Sequence, residues 1–224
     1  MVEHVWKLTG FNRHPSLIQT VTSELLPLLE EGKPLEIATV PCATGVEALA
    51  LAFELEKRGV DFSVSGFDVD GLAIETARNG EYILNPMSHQ IVGDPRSGYS
   101  YQGSNLTSEM RQALFDELRG ICGDRVILKP SFTRKAAYII LGIQELPLRD
   151  FDIILCLNFL KYFTDDRYSG NLPPLEVVSK RLHQANKFVG ALLIDPNADK
   201  SQTVRESLAS QGYLRMREGA YIKS

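Results

Sequence analysis

Short runs of β-branched and other apolar residues alternate along the chain with longer segments of helical periodicity. The predicted strands are 35–40, 62–67, 137–142, 151–157 and 187–194, with a closing strand or hairpin at 212–222. The predicted helices are 16–30, 46–57 and 72–79, the last of which stops at Gly80. This alternation is typical of successive βα units. It predicts an α/β fold with a doubly wound, Rossmann-like and mostly parallel sheet.

The βα rhythm breaks down in the middle of the chain. Residues 98–102 and 125–132 have the pattern of antiparallel strands, and a helix is predicted between them at 108–118. We therefore expect residues 81–135 to form a small inserted antiparallel β-subdomain.

This interruption divides the chain into three predicted parts. An N-terminal helical segment is expected at residues 1–33, and the main α/β domain is expected to combine residues 34–80 with residues 136–224. The β-subdomain at residues 81–135 would be inserted into that main domain.

The composition narrows the classes of protein to which the chain can belong. Of its 224 residues, 44% are hydrophobic and 23% are charged, as in ordinary globular proteins. No window approaches the about 18 apolar residues of a membrane span, and the start lacks a secretory signal; we expect a cytoplasmic protein with no membrane partner. The net charge of −4 argues against a nucleic-acid partner. Four histidines and three cysteines lie far apart in sequence, so no metal site is expected.

The clearest candidate for a binding site is the turn after the first predicted sheet strand. Thr44 and Gly45 lie between that strand and a helix, and Asp68 ends the next strand 23 residues after Gly45. Ligands of such sheets bind beyond the carboxyl ends of the strands, where an acid can accept both ribose hydroxyl protons. This spacing is close to the about 20 residues of dinucleotide sites, so it does not choose between cofactors.

The glycine count does choose. A nicotinamide or flavin site needs G-x-G-x-x-G for its pyrophosphate, whereas Gly45 is the one glycine of this turn. S-adenosylmethionine has no phosphate, and one glycine suffices for its amino-acid end. A βα turn without any ligand is the alternative for this region.

A second candidate follows the buried run 151–157. Asn158 and Tyr162 come where this predicted strand ends, so both are expected at the carboxyl edge of the sheet. If the chain turns into a helix there, residues four apart share a face and both side chains point into the pocket. From spacing alone, an aromatic wedge under a loop is the favoured interpretation of Tyr162.

Five segments, in chain order, resemble motifs of the chemotaxis-receptor (CheR-type) methyltransferases, which use S-adenosylmethionine. They are Thr9-Gly-Phe-Asn-Arg13-His-Pro, similar to T-x-F-F-R-x-P; Ala43-Thr-Gly-Val-Glu47, similar to S-T-G-E-E; Phe67-Asp-Val-Asp70, similar to S-D-I-D; Ala77-Arg-Asn-Gly-Glu-Tyr82, similar to A-R-x-G-x-Y; and Phe151 to Phe163, similar to F-D-x-I-x-C-R-N-x-x-x-Y-F. Their order and their span of residues 9–163 make the resemblance more specific than any one motif. It implies a class I methyltransferase fold and a cofactor site at these segments.

Carried over by position, the resemblance assigns the amino-acid and ribose ends of the cofactor. Thr9 and Arg13 would face the pocket, and Gly45 and Glu47 would hold the methionyl part. Asp68 would hold the ribose. Arg13 is also implied as a catalytic residue, because it can orient an anionic acceptor or pair with the cofactor carboxylate. Without the resemblance, Arg13 would be interpreted as a solvent-exposed charge near the start of a helix.

The same resemblance assigns the methyl and adenine ends. Leu157 and Asn158 would line the site near the sulfur, and Tyr162 would lie beside the transferred methyl group as a catalytic residue. Gly142 and Ile143 fall where the family contacts adenine, although the family's asparagine is absent there.

Several departures from the family bear on the acceptor. Val46 replaces the first glutamate of the turn, Ala48-Leu49-Ala50 replaces Pro-Tyr-Ser, and Leu157 replaces the arginine before Asn158. The match begins within ten residues of Met1, so the family's N-terminal helical domain is expected to be absent and a receptor glutamate is not the expected acceptor. We expect methyl transfer to a carboxylate or another small nucleophile, on a protein or a small molecule, with the insert helping to choose it.

Two other functions stay open on the sequence. The altered turn is compatible with a catalytically inactive, S-adenosylmethionine-binding regulatory or scaffold protein. A nucleotide-dependent enzyme of another class is disfavoured by the missing glycines.

Overall fold

A computed structural model of the protein describes residues 8–29, 32–85, 87–101, 105–118, 124–164 and 172–224. The strands, numbered in chain order, are β1 (Leu8–Thr9), β2 (Leu35–Thr39), β3 (Phe62–Asp68), β4 (Glu81–Leu84), β5 (Ile91–Gly93), β6 (Ser100–Tyr101), β7 (Phe115–Leu118), β8 (Asp124–Leu128), β9 (Ala136–Ile140), β10 (Phe151–Cys156), β11 (Asn186–Ile194), β12 (Tyr213–Arg217) and β13 (Ala220–Lys223). The α-helices are α1 (Pro15–Thr20), α2 (Val46–Lys57), α3 (Gly71–Asn79), α4 (Ser108–Leu114), α5 (Pro130–Thr133), α6 (Leu175–Ala185), α7 (Pro196–Asp199) and α8 (Gln202–Ser210). Residues 1–7 and Glu30, which belong to predicted N-terminal elements, lie outside the described residues.

The main sheet has seven strands in the order β12-β13-β11-β10-β2-β3-β9. The strands from β11 through β10, β2 and β3 to β9 are all parallel to their neighbours. The C-terminal hairpin β12–β13 adds an antiparallel edge beside β11. The predicted mostly parallel α/β sheet is confirmed.

Both faces of this sheet are covered. Along β2 and β10 the side chains alternate, so that Ile37 and Ile153 belong to one apolar cluster while Ala38 and Ile154 belong to another. Helices α1 and α2 pack into the first cluster, and α6 and α8 into the second. The sheet is therefore doubly wound, as the sequence predicts.

The predicted N-terminal helix changes its geometry twice. The α-helix α1 ends at Thr20, a π-helical turn follows at Val21–Leu25, and a 3-10 turn closes the segment at Leu26–Leu28. Pro27 lies in that last turn, and a proline cannot continue an α-helix because its ring clashes with the carbonyl four residues earlier. Leu17, Val21 and Leu25 are buried along this segment.

Residues 81–128 contribute a second, antiparallel sheet in the order β5-β4-β8-β7. This confirms an antiparallel insertion, although its elements differ from the prediction. Helix α4 ends at Leu114 and the chain continues as strand β7, because Phe115 packs its ring against Phe11 and Tyr82. The predicted strand at 98–102 is short, and β6 pairs with β1 in parallel instead of joining this sheet.

One apolar cluster continues from the main sheet into the antiparallel sheet. It contains Leu49 and Leu51 of α2 together with Tyr82, Leu114 and Phe115 of the insertion. The two sheets therefore share a core, and the division into a main domain and a separate subdomain stays a prediction.

No helix within the described ranges has both the length and the apolar character that crossing a membrane requires.

Candidate functional site

The turn from β2 to α2 has a backbone that requires glycine at one position. Gly45, just before α2, has φ +80°, which side-chain-bearing residues rarely adopt. A Cβ at Gly45 would also lie 2.7 Å from the hydroxyl oxygen of Tyr138, whose ring covers the turn. Gly45 is thus needed both for its φ angle and for the close approach of Tyr138.

Asp68 ties this turn to the end of β3. Its Oδ2 accepts a hydrogen bond from the amide of Ala43 at 2.8 Å, and its Oδ1 accepts one from the amide of Asp70 at 2.9 Å. Burial raises the pKa of the Asp68 carboxyl above its usual range. A carboxylate has about four acceptor positions, so Asp68 retains acceptor capacity for a ligand hydroxyl.

A polar cluster joins three separate parts of the chain. Glu47 Oε1, in the first turn of α2, accepts hydrogen bonds from Arg13 Nη2 at 2.6 Å and from Asn158 Nδ2 at 2.8 Å. Asn158 lies just beyond β10 with φ +59°. The structure thus brings together three residues that the sequence assigned to one site.

Lys161 extends this cluster and was not predicted from the sequence. Its Nζ donates to Asn158 Oδ1 at 3.3 Å. Burial lowers the pKa of the Lys161 ammonium, while nearby Asp195 and Glu47 counteract this effect. Its position three residues after Asn158, beyond a strand end, was the available signal.

Thr9 is fully buried, and its Oγ1 has no hydrogen-bond partner among the described residues. The same holds for Nε of Arg13. Buried polar atoms are almost always hydrogen-bonded in folded proteins. These two atoms therefore favour a ligand beside the segment that contains them.

Leu157, predicted near the sulfur, and Tyr162, predicted beside the transferred methyl group, differ in their surroundings. Leu157 is 7% exposed and lines a cleft next to Glu47. Tyr162 lies in a 3-10 helix at Leu160–Thr164, with its ring centroid 5.3 Å from Lys161 Nζ. Asn158 precedes this helix and has a positive φ, so the condition for sharing one α-helical face with Tyr162 is not met, and the place of Tyr162 in the pocket stays a prediction.

Of the two residues predicted to contact adenine, Gly142 and Ile143, the second is buried. Ile143 is buried in the second apolar cluster, and the Gly142 amide donates to Glu145 Oε2 at 3.3 Å. Next to them, Val69 and Ile140 are 74% and 56% exposed. These two apolar side chains were missed, although the position of Val69 directly after Asp68 could have indicated it.

Two buried tyrosines of the insertion hold the glycine turn. The Tyr82 hydroxyl donates to the Thr44 carbonyl at 2.8 Å, and the Tyr101 hydroxyl lies 2.6 Å from Thr44 Oγ1. Tyr101 also donates to Asp94 Oδ2 at 3.3 Å. Burial raises the pKa of both phenols, so they are neutral donors. The insertion therefore contacts the predicted cofactor turn directly, which the sequence did not indicate.

A second pair of polar groups lies at the carboxyl end of β11. Asp195 follows this strand directly, is 1% exposed, and lies 3.5 Å (Oδ2) from His14 Nε2. Burial would raise the pKa of Asp195, but the neighbouring His14 ring and the hydrogen bond from the Asn197 amide outweigh it and lower the pKa. Sequence reasoning missed Asp195, although an acidic residue directly after the predicted strand 187–194 was an available signal.

The residues of the turn that differ from the family motif are packed in the core. Val46 and Ala48 are 0% and 2% exposed and belong to the apolar core.

Within the part of the chain that the structure describes, no three histidine, cysteine or acidic side chains are grouped as metal ligands.

Comparison with known protein families shows the family to which the chain belongs. A family model described as "CheR methyltransferase, SAM binding domain" matches residues 7–118, half of the chain. The chain belongs to the CheR methyltransferase family. This agrees with the resemblance of the five sequence motifs, and it makes S-adenosylmethionine the cofactor of the family's matched domain.

A curated relative extends the similarity toward the C-terminus. The "Probable biofilm formation methyltransferase WspC" of Pseudomonas aeruginosa is 30% identical over 196 residues. The match covers 84% of this CheR-family chain but 40% of WspC, so the chain spans less than half the length of that relative.

Solved structures show the same fold at low sequence identity. A possible exported protein from Bordetella parapertussis has a TM-score of 0.52 at 14% identity, with 95% of this chain and 67% of that chain covered. The CMeT domain of the citrinin polyketide synthase also has a TM-score of 0.52 at 14% identity, with 94% and 52% covered. The fold is the class I methyltransferase type.

Proposed function

We propose that this CheR-family protein binds S-adenosylmethionine at the carboxyl ends of β2, β3 and β10 and transfers its methyl group to a carboxylate or another small nucleophile. The observation that carries the proposal is the convergence of Arg13, Glu47 and Asn158 beside the turn at Gly45. When bound, S-adenosylmethionine supplies an activated methyl group on a sulfonium.

The charges of the cluster fit the amino-acid end of this cofactor. That end carries an ammonium and a carboxylate. Glu47 Oε2 accepts no hydrogen bond from the described residues and suits the ammonium, while the Arg13 guanidinium suits the carboxylate. The buried, unpartnered Arg13 Nε supports the same assignment.

The next strand end fits the nucleoside part. Asp68 lies at the end of β3 and keeps acceptor capacity for the ribose hydroxyls. The exposed apolar side chains of Val69 and Ile140 suit the face of an adenine ring, and Gly142 lies beside Val69.

The reaction makes limited chemical demands on the protein. Methyl transfer is an in-line displacement, so positioning and electrostatics contribute more than strong bases do. Asn158 and Tyr162 are proposed to line the methyl end, and Arg13 to orient an anionic group there.

Calorimetric titration with S-adenosylhomocysteine, S-adenosylmethionine and NAD tests this proposal. We expect the first two to bind and NAD not to bind. Glu47→Gln should lower the affinity for S-adenosylhomocysteine at least tenfold, because hydrogen bonds to charged groups contribute about 1.5–3 kcal/mol.

Glu54→Gln, on the same helix, is the matched control and should bind like the wild-type protein. The assignment is wrong if the wild-type protein binds NAD alone, or if Glu47→Gln and Glu54→Gln have equal affinities.

A further inference from the structure

Lys161 lies beyond the carboxyl end of β10, beside two residues of the proposed cofactor site. It belongs to the 3-10 helix Leu160–Thr164, follows Asn158 by three positions and directly precedes Tyr162. Its Nζ donates to Asn158 Oδ1 at 3.3 Å and lies 5.3 Å from the centroid of the Tyr162 ring. Asn158 and Tyr162 are the residues proposed to line the methyl end of the cofactor, so the Lys161 ammonium lies at that end.

The hydrogen bond from Lys161 orients the amide of Asn158. Asn158 Oδ1 accepts from Lys161, while Asn158 Nδ2 donates to Glu47 Oε1 at 2.8 Å. An amide with its oxygen on an ammonium and its nitrogen on a carboxylate has one favourable orientation. Because an amide oxygen carries no net charge, this hydrogen bond does not neutralise the positive charge of Lys161.

The charged groups around Lys161 belong to three other parts of the chain. They are Asp195, Arg13 and Glu47. Arg13 and Glu47 are paired with each other at 2.6 Å. Burial lowers the pKa of the Lys161 ammonium and Arg13 acts in the same direction, whereas Asp195 and Glu47 oppose the shift. A charge that has lost part of its water is weakly screened, so it acts strongly on a neighbouring charge.

The sequence marks this lysine as a feature outside the family motif. The motif F-D-x-I-x-C-R-N-x-x-x-Y-F has arginine at the position of Leu157 and no fixed residue at that of Lys161. Leu157 lines the cleft beside Glu47 and brings no charge to it. The motif's cation is thus absent at residue 157, and this chain carries a cation four residues later, next to Tyr162.

A fixed cation near the sulfur distinguishes the cofactor from its product. S-adenosylmethionine has a positive sulfonium, whereas S-adenosylhomocysteine has a neutral thioether and the same amino-acid and nucleoside ends. During transfer the bond from sulfur to the methyl carbon breaks, its electron pair passes to sulfur, and the positive charge on sulfur is lost. A neighbouring ammonium therefore raises the free energy of the bound sulfonium more than that of the transition state.

We propose that Lys161 is a specificity-determining residue of the methyl-transfer site, whose charge disfavours the bound sulfonium relative to the neutral thioether and so favours departure of the methyl group. This inference rests on the proposed function and adds to it an electrostatic role for a residue outside the family motif.

Calorimetric titration of the full chain at pH 7 with freshly purified S-adenosylmethionine and with S-adenosylhomocysteine tests this role. The measured quantity is the quotient of the two dissociation constants, that of S-adenosylmethionine over that of S-adenosylhomocysteine. Contacts with the parts that the two ligands share cancel in this quotient. We expect a quotient above one for the wild-type protein, and Lys161→Met should lower it at least fourfold.

Two further variants separate the charge from the hydrogen bond. Lys161→Gln keeps a donor for Asn158 without the charge, and it should lower the quotient as much as Lys161→Met does. Lys161→Arg keeps the charge, and its quotient should stay within twofold of wild type.

Lys187→Met is the matched control. The Lys187 side chain is also partly exposed, at 30%, and its Nζ pairs with Asp152 Oδ1 at 3.1 Å. It lies at the start of β11, at the opposite end of the sheet from the cofactor site. Loss of this charge should leave the quotient unchanged.

The outcomes distinguish this inference from the proposed function. An unchanged quotient in Lys161→Gln, or a quotient that falls equally in Lys161→Arg, overturns the role of the Lys161 charge and leaves the cofactor site intact. These two variants decide the question even if Lys161→Met does not fold. Failure of the wild-type protein to bind either ligand overturns the proposed function as well.

Discussion

Single residues show which parts of the site are visible in sequence. Gly45 and Asp68 were predicted because their signals are local: a glycine in a βα turn and an acid at a strand end. Glu47 was assigned through the family motif, and the structure adds its bonds to Arg13 and Asn158. His14 could not be paired with Asp195 from sequence, since 181 residues separate them.

Asp68→Ala should weaken binding of S-adenosylhomocysteine by roughly 1.5–3 kcal/mol, the scale of hydrogen bonds to a charged group. Calorimetry measures the change. Asp152→Ala is a matched control, because Asp152 is also buried and also accepts a backbone amide, that of Glu36 at 2.9 Å, but stands at the opposite end of the sheet. Equal affinity of both variants, with the fold intact, contradicts the ribose assignment.

At the scale of elements, tertiary contacts override local pattern where prediction and structure differ. Helix α2 was predicted with its observed bounds, because its residues favour helix and its core face is apolar throughout. The predicted helix at 108–118 becomes a strand at Phe115, where aromatic packing and pairing with β8 decide the conformation. Strand β6 pairs with β1, and its Tyr101 reaches Thr44, a contact that no local pattern contains.

Tyr101→Phe tests whether the insertion positions the cofactor turn. Loss of the hydroxyl removes the bond to Thr44 Oγ1, which should weaken S-adenosylhomocysteine binding by about 1 kcal/mol, the usual net value of a hydrogen bond. Tyr213→Phe, which removes another buried hydroxyl beside Asn186, should leave that affinity unchanged. If both variants bind like wild type, the tyrosines support packing only.

The C-terminal elements depend on one buried carboxylate. Asp199, at the end of α7, accepts hydrogen bonds from Arg215 of β12 and Tyr221 of β13. Burial would raise its pKa, but these bonds lower it below the usual carboxyl range. A lowered folded-state pKa gives stability that is present above the unfolded value of about 4 and is lost as pH falls through the folded value.

We therefore expect Asp199→Asn to be less stable than wild type at pH 7 by about 2 kcal/mol, and the difference to shrink below about pH 4. Denaturant unfolding at several pH values measures it. A difference that is independent of pH would show that ionisation of Asp199 does not contribute.

At the scale of the whole molecule, the alternation of strands and helices was sufficient to predict the doubly wound sheet. It was not sufficient to predict how the insertion packs, because the shared core joins residues that are distant in sequence, such as Leu51 and Phe115. The five family motifs are distributed along this structure, from Thr9 in the N-terminal segment to Phe163, beyond the end of β10.

Because one apolar cluster spans both sheets, unfolding should occur in a single cooperative transition. Circular dichroism and tyrosine fluorescence recorded in increasing urea should give coincident curves. Two separated transitions would instead support an independently folding β-subdomain at residues 81–135.

The most direct measurement is a crystal structure of the protein with S-adenosylhomocysteine. We expect the ligand's amino-acid end at Arg13 and Glu47, its ribose hydroxyls on Asp68 and its sulfur next to Asn158. A ligand bound elsewhere, or with its ribose away from Asp68, would show that the proposed cofactor site is wrong.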